Sequence, residues 1–125
     1  MYEYNAAITR IVDGDTVDVD VDLGFSVHHH SRVRLYGINA AESRTRDLEE
    51  KKRGLAAKAR LLELCPVNSK VILRTLRDAH GKYGRILGEL FIRDHGHLEP
   101  IKALVNVNKK LVEEGHAVEY FGGKR

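Results

Sequence analysis

Between Asp15 and Leu23 the chain alternates without interruption: Asp15, Val17, Val19, Val21 and Leu23 share one parity, and Thr16, Asp18, Asp20 and Asp22 share the other. Side chains on a strand point to opposite faces with period two, so one face of this segment is aliphatic and the other acidic. The aliphatic face is the buried one. The segment must therefore be one wall of a sheet with a dry inside and a wet outside. Asp18, Asp20 and Asp22 then belong to the solvated face, whereas Asp15 opens the inward row at the mouth of the sheet. A carboxylate so placed has to be protonated, paired with an arginine such as Arg34, or bound to a cation, because an unpaired buried charge costs several kcal/mol.

The neighbouring segments extend the sheet. Ala7 to Val12 and about Val27 to Ile38 read as strands, rich in Val and Ile. Asp13-Gly14 carries the signature of a two-residue type I′ hairpin, with positive φ at both central positions, and Leu23-Gly24-Phe25 supplies a second turn. Arg46 to Leu64 reads as a helix, with Leu48, Leu55, Ala59 and Leu62 on one stripe and Asp47/Lys51 and Glu49/Arg53 at four-residue spacing. Pro66 ends it. A strand from Lys70 to Leu76, a polar turn from Arg77 to Gly84 and a strand from Arg85 to Ile92 follow. A last helix from Val107 to Glu114 stops at Gly115 in the left-handed conformation, and Tyr120 to Arg125 form a frayed tail. Three strands, a helix and two more strands predict an α+β, mainly β domain spanning residues 1–125. Its centre is a partly open five-stranded OB-fold-like barrel, with a helix between the third and fourth strands and a second helix near the C-terminus.

Composition narrows the function. The chain has 21 Lys+Arg against 18 Asp+Glu, a net +3, but residues 1–31 hold one base and six acids. The acidic corner is thus set against a basic body, which suits a polyanion and leaves the acids either solvated or holding a cation. A single cysteine, Cys65, excludes an intrachain disulfide and a cysteine-rich zinc site, and its place before Pro66 at a helix end predicts a buried, inert thiol. No apolar run reaches a membrane span and the first residues do not read as a signal peptide, so a cytoplasmic protein without a membrane partner is expected. His28-His29-His30 alternate faces and cannot all bind one ion, which favours a solvated strand edge over a metal site. Lys51, Lys52, Arg53, Lys58 and Arg60 read as a solvated helix face able to add nonspecific attraction for phosphate.

Four further pieces carry a resemblance. Val12-Asp13-Gly14-Asp15-Thr16, the segment Arg34 to Glu42, Lys82-Tyr83-Gly84-Arg85 and Asn108 to Gly115 stand in the order and at the spacing of the staphylococcal nuclease family, from about Ala7 to Phe121. The resemblance implies a calcium-dependent phosphodiesterase that cleaves single-stranded or frayed DNA and RNA and leaves 3′-phosphates, acting as a monomer. It places Asp15, Asn39 and the backbone carbonyl of Ala40 at a Ca2+ ion, with Asp13 behind them. Arg34 and Arg85 match the phosphate-binding arginines, and Glu42 matches the carboxylate that activates water. Lys82 and Tyr83 match residues at the nucleotide's phosphate and base, with Tyr120 or Phe121 as a second aromatic wall.

That set suits phosphodiester hydrolysis: a hard divalent ion and two guanidiniums neutralise the charge that builds on the crowded phosphate, while a carboxylate takes a proton from water. Two departures from the family stand out. Asn39 replaces a carboxylate, which loosens calcium, and Ala41 replaces a proline, which leaves the Glu42 segment less fixed. The competing expectations are a noncatalytic nucleic-acid-binding module on the same fold and a purely protein-binding OB domain; the coexistence of Asp15, Arg34, Glu42 and Arg85 favours the nuclease.

Overall fold

The computed structural model describes residues 2–76, 85–93 and 104–121, and for Arg85 only the backbone. The described elements are β1 (Tyr2–Asp13), β2 (Thr16–Asp22), β3 (His28–Leu35), β4 (Ile38–Ala40), α1 (Leu48–Leu64), β5 (Lys70–Leu76), β6 (Arg85–Arg93), β7 (Leu104–Asn106), α2 (Val107–Glu113) and β8 (Ala117–Glu119). β1 is long enough to serve two neighbours, pairing with β5 through its first half and with β2 through its second. β2 pairs with β3 and β5 with β6, all antiparallel. β3 then meets β6 in parallel register, from Arg32↔Arg85 to Leu35↔Gly88, and closes a five-stranded barrel. The sequence suggested a partly open barrel; closure pairs the backbone groups that two edges would otherwise leave exposed.

The alternation in β2 does what its pattern requires. Val17, Val19 and Val21 are buried with Ile8, Val33, Leu35, Leu73 and Leu90 in the barrel core. On the outer face Asp18 accepts from Arg32 Nε at 2.8 Å and Nη2 at 3.2 Å, and His28 Nδ1 lies 3.3 Å from Asp20. His28, His29 and His30 are all exposed, as a solvated edge should be.

Three local expectations are corrected. The β1–β2 turn falls one residue later, on Gly14–Asp15, with Asp13 paired to Thr16. Neither turn residue has positive φ, so the turn is not type I′. Gly14 is needed for room instead: a Cβ there would stand 2.6 Å from the Ala57 Cβ and 3.0 Å from that of Ala40. The third strand stops at Leu35, because Gly37 turns the chain at φ +79 and β4 begins afresh. Tyr120 and Phe121 are docked rather than frayed. Tyr120 N donates to Gly37 O at 2.8 Å after β4 has paired with β8, and Phe121 rests edge to face on Tyr36 with centroids 5.7 Å apart. The predicted turn from Arg77 to Gly84 and the residues after Phe121 lie outside the described residues.

α1 begins at Leu48 because Asp47 caps it, its Oδ1 accepting from Glu49 N at 3.0 Å and Glu50 N at 3.3 Å. The leucine stripe marks the helix correctly but faces solvent. The face against the barrel is Gly54, Ala57 and Leu61, small residues that admit a close approach. Gly54 is the tightest point, since a Cβ there would come 2.2 Å from the Glu42 carbonyl oxygen. In α2 the buried Asn108 is a hub: its Nδ2 donates to Tyr36 O at 2.9 Å and Gly88 O at 3.1 Å, and its Oδ1 accepts from Leu90 N at 3.2 Å. Gly115 ends this helix region at φ +80, as expected. The two helices are tied by Arg60, whose Nη2 donates to Glu114 Oε2 at 2.8 Å; that hydrogen bond holds the Glu114 carboxyl below its ordinary range.

Gly54→Ala tests the helix contact. In an open helix the change stabilises by about 1 kcal/mol. Here the methyl group meets backbone, so a net loss of about 1–3 kcal/mol is expected in chemical denaturation, as for other overpacked sites. Cys65 is fully buried and desolvation pushes its thiol up to about 12, so it should resist iodoacetamide in the folded protein and react once denaturant is added. Equal labelling rates in both states would place the thiol at the surface.

Candidate active site

The site grows from one carboxylate. The β1–β2 turn lifts Asp15 to the end of the barrel and leaves it buried. Its Oδ1 accepts from the Thr16 hydroxyl at 2.9 Å and its Oδ2 from the Ala40 backbone N–H at 2.9 Å, while Arg34 Nη1 stands 3.5 Å from Oδ2. Arg34 comes from β3, paired with Thr16 across the ladder, which brings its half-buried guanidinium beside the turn. The same guanidinium donates to the backbone carbonyl of Leu35 at 3.1 Å and to Asn39 Oδ1 at 3.4 Å. Of the alternatives open for Asp15, arginine pairing is therefore present, and Asn39 is drawn into the same cluster.

Two acids, Asp15 on the turn and Asp13 at the end of β1, grip the chain from the last residue of β4 onward. Asp15 holds Ala40, and two residues earlier Asp13 Oδ1 accepts from Ser43 N at 3.4 Å and from the Ser43 hydroxyl. Glu42 lies between these clamps, with its carbonyl pressed against Gly54 of α1. The rigidity that a proline at 41 would lend is thus replaced by hydrogen bonds and by packing on the helix. Asp13, which the resemblance placed behind the calcium ligands, is bonded to the Glu42 loop.

The cluster opens onto two hollows. Arg34 lines a cavity of about 220 Å³ with Tyr36, Leu87, Tyr120 and Phe121, where a planar group would meet aromatic walls beside a guanidinium. Asn39 and the exposed Glu42 line a larger one of about 600 Å³, shared with Glu50 and Arg53 of α1 and with His116. Asp15, Arg34, Asn39 and Ala40 are thus brought together, Glu42 follows on the clamped loop, and Tyr120 and Phe121 wall the adjoining cavity. Arg85 begins β6 opposite Arg32, and Lys82 and Tyr83 lie outside the described residues.

The oxygens at hand suit a hard cation in kind, though they carry little charge. They comprise one carboxylate from Asp15, the amide carbonyl of Asn39 and the backbone carbonyl of Ala40. Among the described residues no group of three or more His, Cys, Asp or Glu side chains could hold a metal ion. The set is all-oxygen with a single carboxylate, both of whose oxygens already accept hydrogen bonds, so a calcium ion held there would need solvent for its remaining ligands.

Sequence reasoning missed Ser43, Gly54 and Ala57, which place the Glu42 loop. Only Gly54 left a signal, a glycine inside a helical pattern, which points to a close approach. Asn108, quoted within a motif, positions Tyr36 through that residue's carbonyl oxygen.

Residues 32–125 match the family model described as staphylococcal nuclease homologue. Endonuclease YhcR of Bacillus subtilis (strain 168) is 28% identical over 124 residues, which are 95% of this chain and 9% of that protein. Protein ParB of Escherichia coli is 32% identical over 118 residues, 94% of this chain and 58% of that protein. The chain thus spans less than two thirds of either relative. The matched span takes in Arg34, the clamped Glu42 segment, both helices and the aromatic cavity, and on it the chain belongs to the staphylococcal nuclease homologue family.

Proposed function

We propose that the chain is a calcium-assisted nuclease that hydrolyses single-stranded or frayed DNA and RNA and leaves 3′-phosphates. The observation that carries this reading is the convergence of the Asp15 carboxylate, the Arg34 guanidinium and the Asn39 carbonyl at one end of the barrel, beside an aromatic cavity. Arg34 is held by bonds to two backbone carbonyls and to Asn39, so its planar fork is oriented before a phosphate arrives, and little reorganisation is needed as charge builds on the phosphate. Tyr36, Tyr120 and Phe121 hold a base next to that phosphate. Glu42, on a loop fixed by Asp13 and Ser43, takes a proton from the attacking water. Its exposure gives solvent access to it. Bound at Asp15, Asn39 and the Ala40 carbonyl, calcium would supply Lewis-acid stabilisation of the phosphate and ease deprotonation of water. Arg85, Lys82 and Tyr83 complete the phosphate and base contacts by family resemblance.

One observation favours a second reading, a noncatalytic nucleic-acid-binding module. Position 39 is neutral and already accepts a hydrogen bond from Arg34, which lowers the pull on a divalent ion. Parallel assays of cleavage and binding on a denatured DNA strand, with calcium and with chelator, separate the two; tight binding without cleavage in calcium selects the module.

Arg34→Ala should lower turnover by roughly 10²–10³-fold and Glu42→Gln by about 10²–10⁴-fold, with thermal melts confirming folded proteins. Loss of affinity alone, with turnover intact, would reduce Arg34 to a positioning group. Asn39→Asp should tighten calcium in direct titration, because it adds a formal charge to a site that has one carboxylate. An unchanged affinity would put residue 39 outside the ion's coordination shell.

A further inference from the structure

We propose that a third hollow, beside the aromatic cavity, reads a guanine in the nucleotide adjoining the one held at Arg34; the inference rests on the reading that a single strand lies along that guanidinium. The hollow measures about 430 Å³. Tyr36, Gly37, Ile38 and Phe121 line both it and the aromatic cavity, so the edge-to-face pair of Tyr36 and Phe121 is a wall common to the two. The fold fixes that wall. Phe121 lies over Gly37, where a Cβ would stand 2.9 Å from its Cε1, and Asn108 holds the Tyr36 carbonyl oxygen. Tyr36 is 39% and Phe121 67% exposed, which leaves ring surface free for stacking. A strand whose phosphate meets Arg34 and whose base enters the aromatic cavity brings its neighbouring base to this wall.

The rim decides which base. Its polar side chains are Glu89, Glu113, Glu119, Lys109 and Asn108. Asn108 is spent within the fold, on Tyr36 O, Gly88 O and Leu90 N, and Glu89 Oε2 accepts from Asn106 Nδ2 at 2.8 Å. The side chains of Glu113, Glu119 and Lys109 are exposed and make no ion pair or hydrogen bond among the described residues, although Lys109 and Glu113 stand one turn apart on α2. Three carboxylates against one ammonium repel a phosphate, so the hollow takes a base and not the backbone. A carboxylate accepts two hydrogen bonds side by side, and guanine alone among the bases offers two adjacent donors, N1–H and the N2 amino group, on one edge. Its O6, next to them, takes a donor, which Lys109 supplies. Thymine and uracil flank their single N–H with carbonyl oxygens, and adenine and cytosine set a bare ring nitrogen beside the amino group; each turns lone pairs toward a carboxylate. Glu119 is the carboxylate assigned to the guanine edge, because it pairs with Ile38 of the shared wall and precedes Tyr120 of the aromatic cavity.

The test is fluorescence anisotropy on the full chain, in calcium and in chelator, with a labelled phosphorothioate hexathymidylate, which resists hydrolysis. Two further strands carry guanine, or hypoxanthine, which lacks the N2 amino group, in place of one internal thymine. The guanine strand should bind roughly tenfold or more tighter than the other two, the scale on which a bidentate base contact discriminates. Glu119→Ala should abolish the ratio of guanine to hypoxanthine, and Lys109→Met should reduce that of guanine to thymine. Removal of one surface charge shifts all strands alike, so the ratios report the reading of the base. Thermal melts establish that the variants fold, and Glu119→Gln replaces Glu119→Ala if the latter does not. Equal binding of the three strands, or a guanine preference that survives the change at Glu119, overturns this proposal and leaves the strand reading in place. Absence of binding by every strand overturns both. Saturable binding of spermidine that depends on Glu119, with no base preference, assigns the hollow to an organic cation and also overturns the proposal.

Discussion

The Asp15 carboxylate is the point at which three strands meet. It sits on the β1–β2 turn, accepts from the N–H of Ala40 at the end of β4 and faces the guanidinium that β3 delivers. A buried carboxylate with two neutral donors and one cation is satisfied, and that satisfaction ties β4, whose ladder is with β8, to the barrel strands. The chemistry proposed for the site and the integrity of this end of the barrel therefore draw on the same few bonds. The arrangement also explains why the turn is drawn so tightly onto α1. Gly14 lets the turn approach Ala57, and Gly54 lets the Glu42 loop approach the same helix one turn earlier.

Much of this was legible before any coordinates. The alternation of β2 identified an inward valine row and an outer acidic face because period two leaves no ambiguity when one face is all Val. The strands, both helices and the left-handed Gly115 followed from equally local signals. Closure of the barrel did not, since the β3–β6 pairing joins residues more than fifty positions apart and leaves no periodic trace. β4 and β8 are each three residues long, too short for alternation to register. The leucine stripe of α1 shows the limit most clearly. Periodicity revealed a helix, but it could not tell which of two faces meets the core when small residues rather than large ones make the contact.

The candidate site divides in the same way. Parity set Asp15 at the barrel mouth and offered Arg34 as a partner, whereas the place of Arg34 at a phosphate came from resemblance; the pairing of Thr16 with Arg34 brings the guanidinium beside the turn that carries Asp15. The clamp of Asp13 on Ser43 could not, because it joins a turn to a loop through a contact that propensity and spacing do not encode. The family resemblance makes Asn39 a candidate ligand, but its oxygen already accepts from Arg34, so a cation and a guanidinium compete for it.

The pairing of β4 with β8 has a consequence for the time at which the site takes shape. Asn39 and Ala40 sit on a three-residue strand whose antiparallel neighbour is Ala117–Glu119. During synthesis the chain emerges from its N-terminus, so the barrel strands can begin to pair while β4 still lacks its partner. The segment that carries two of the candidate cation ligands is fully held only after residue 119 has left the ribosome.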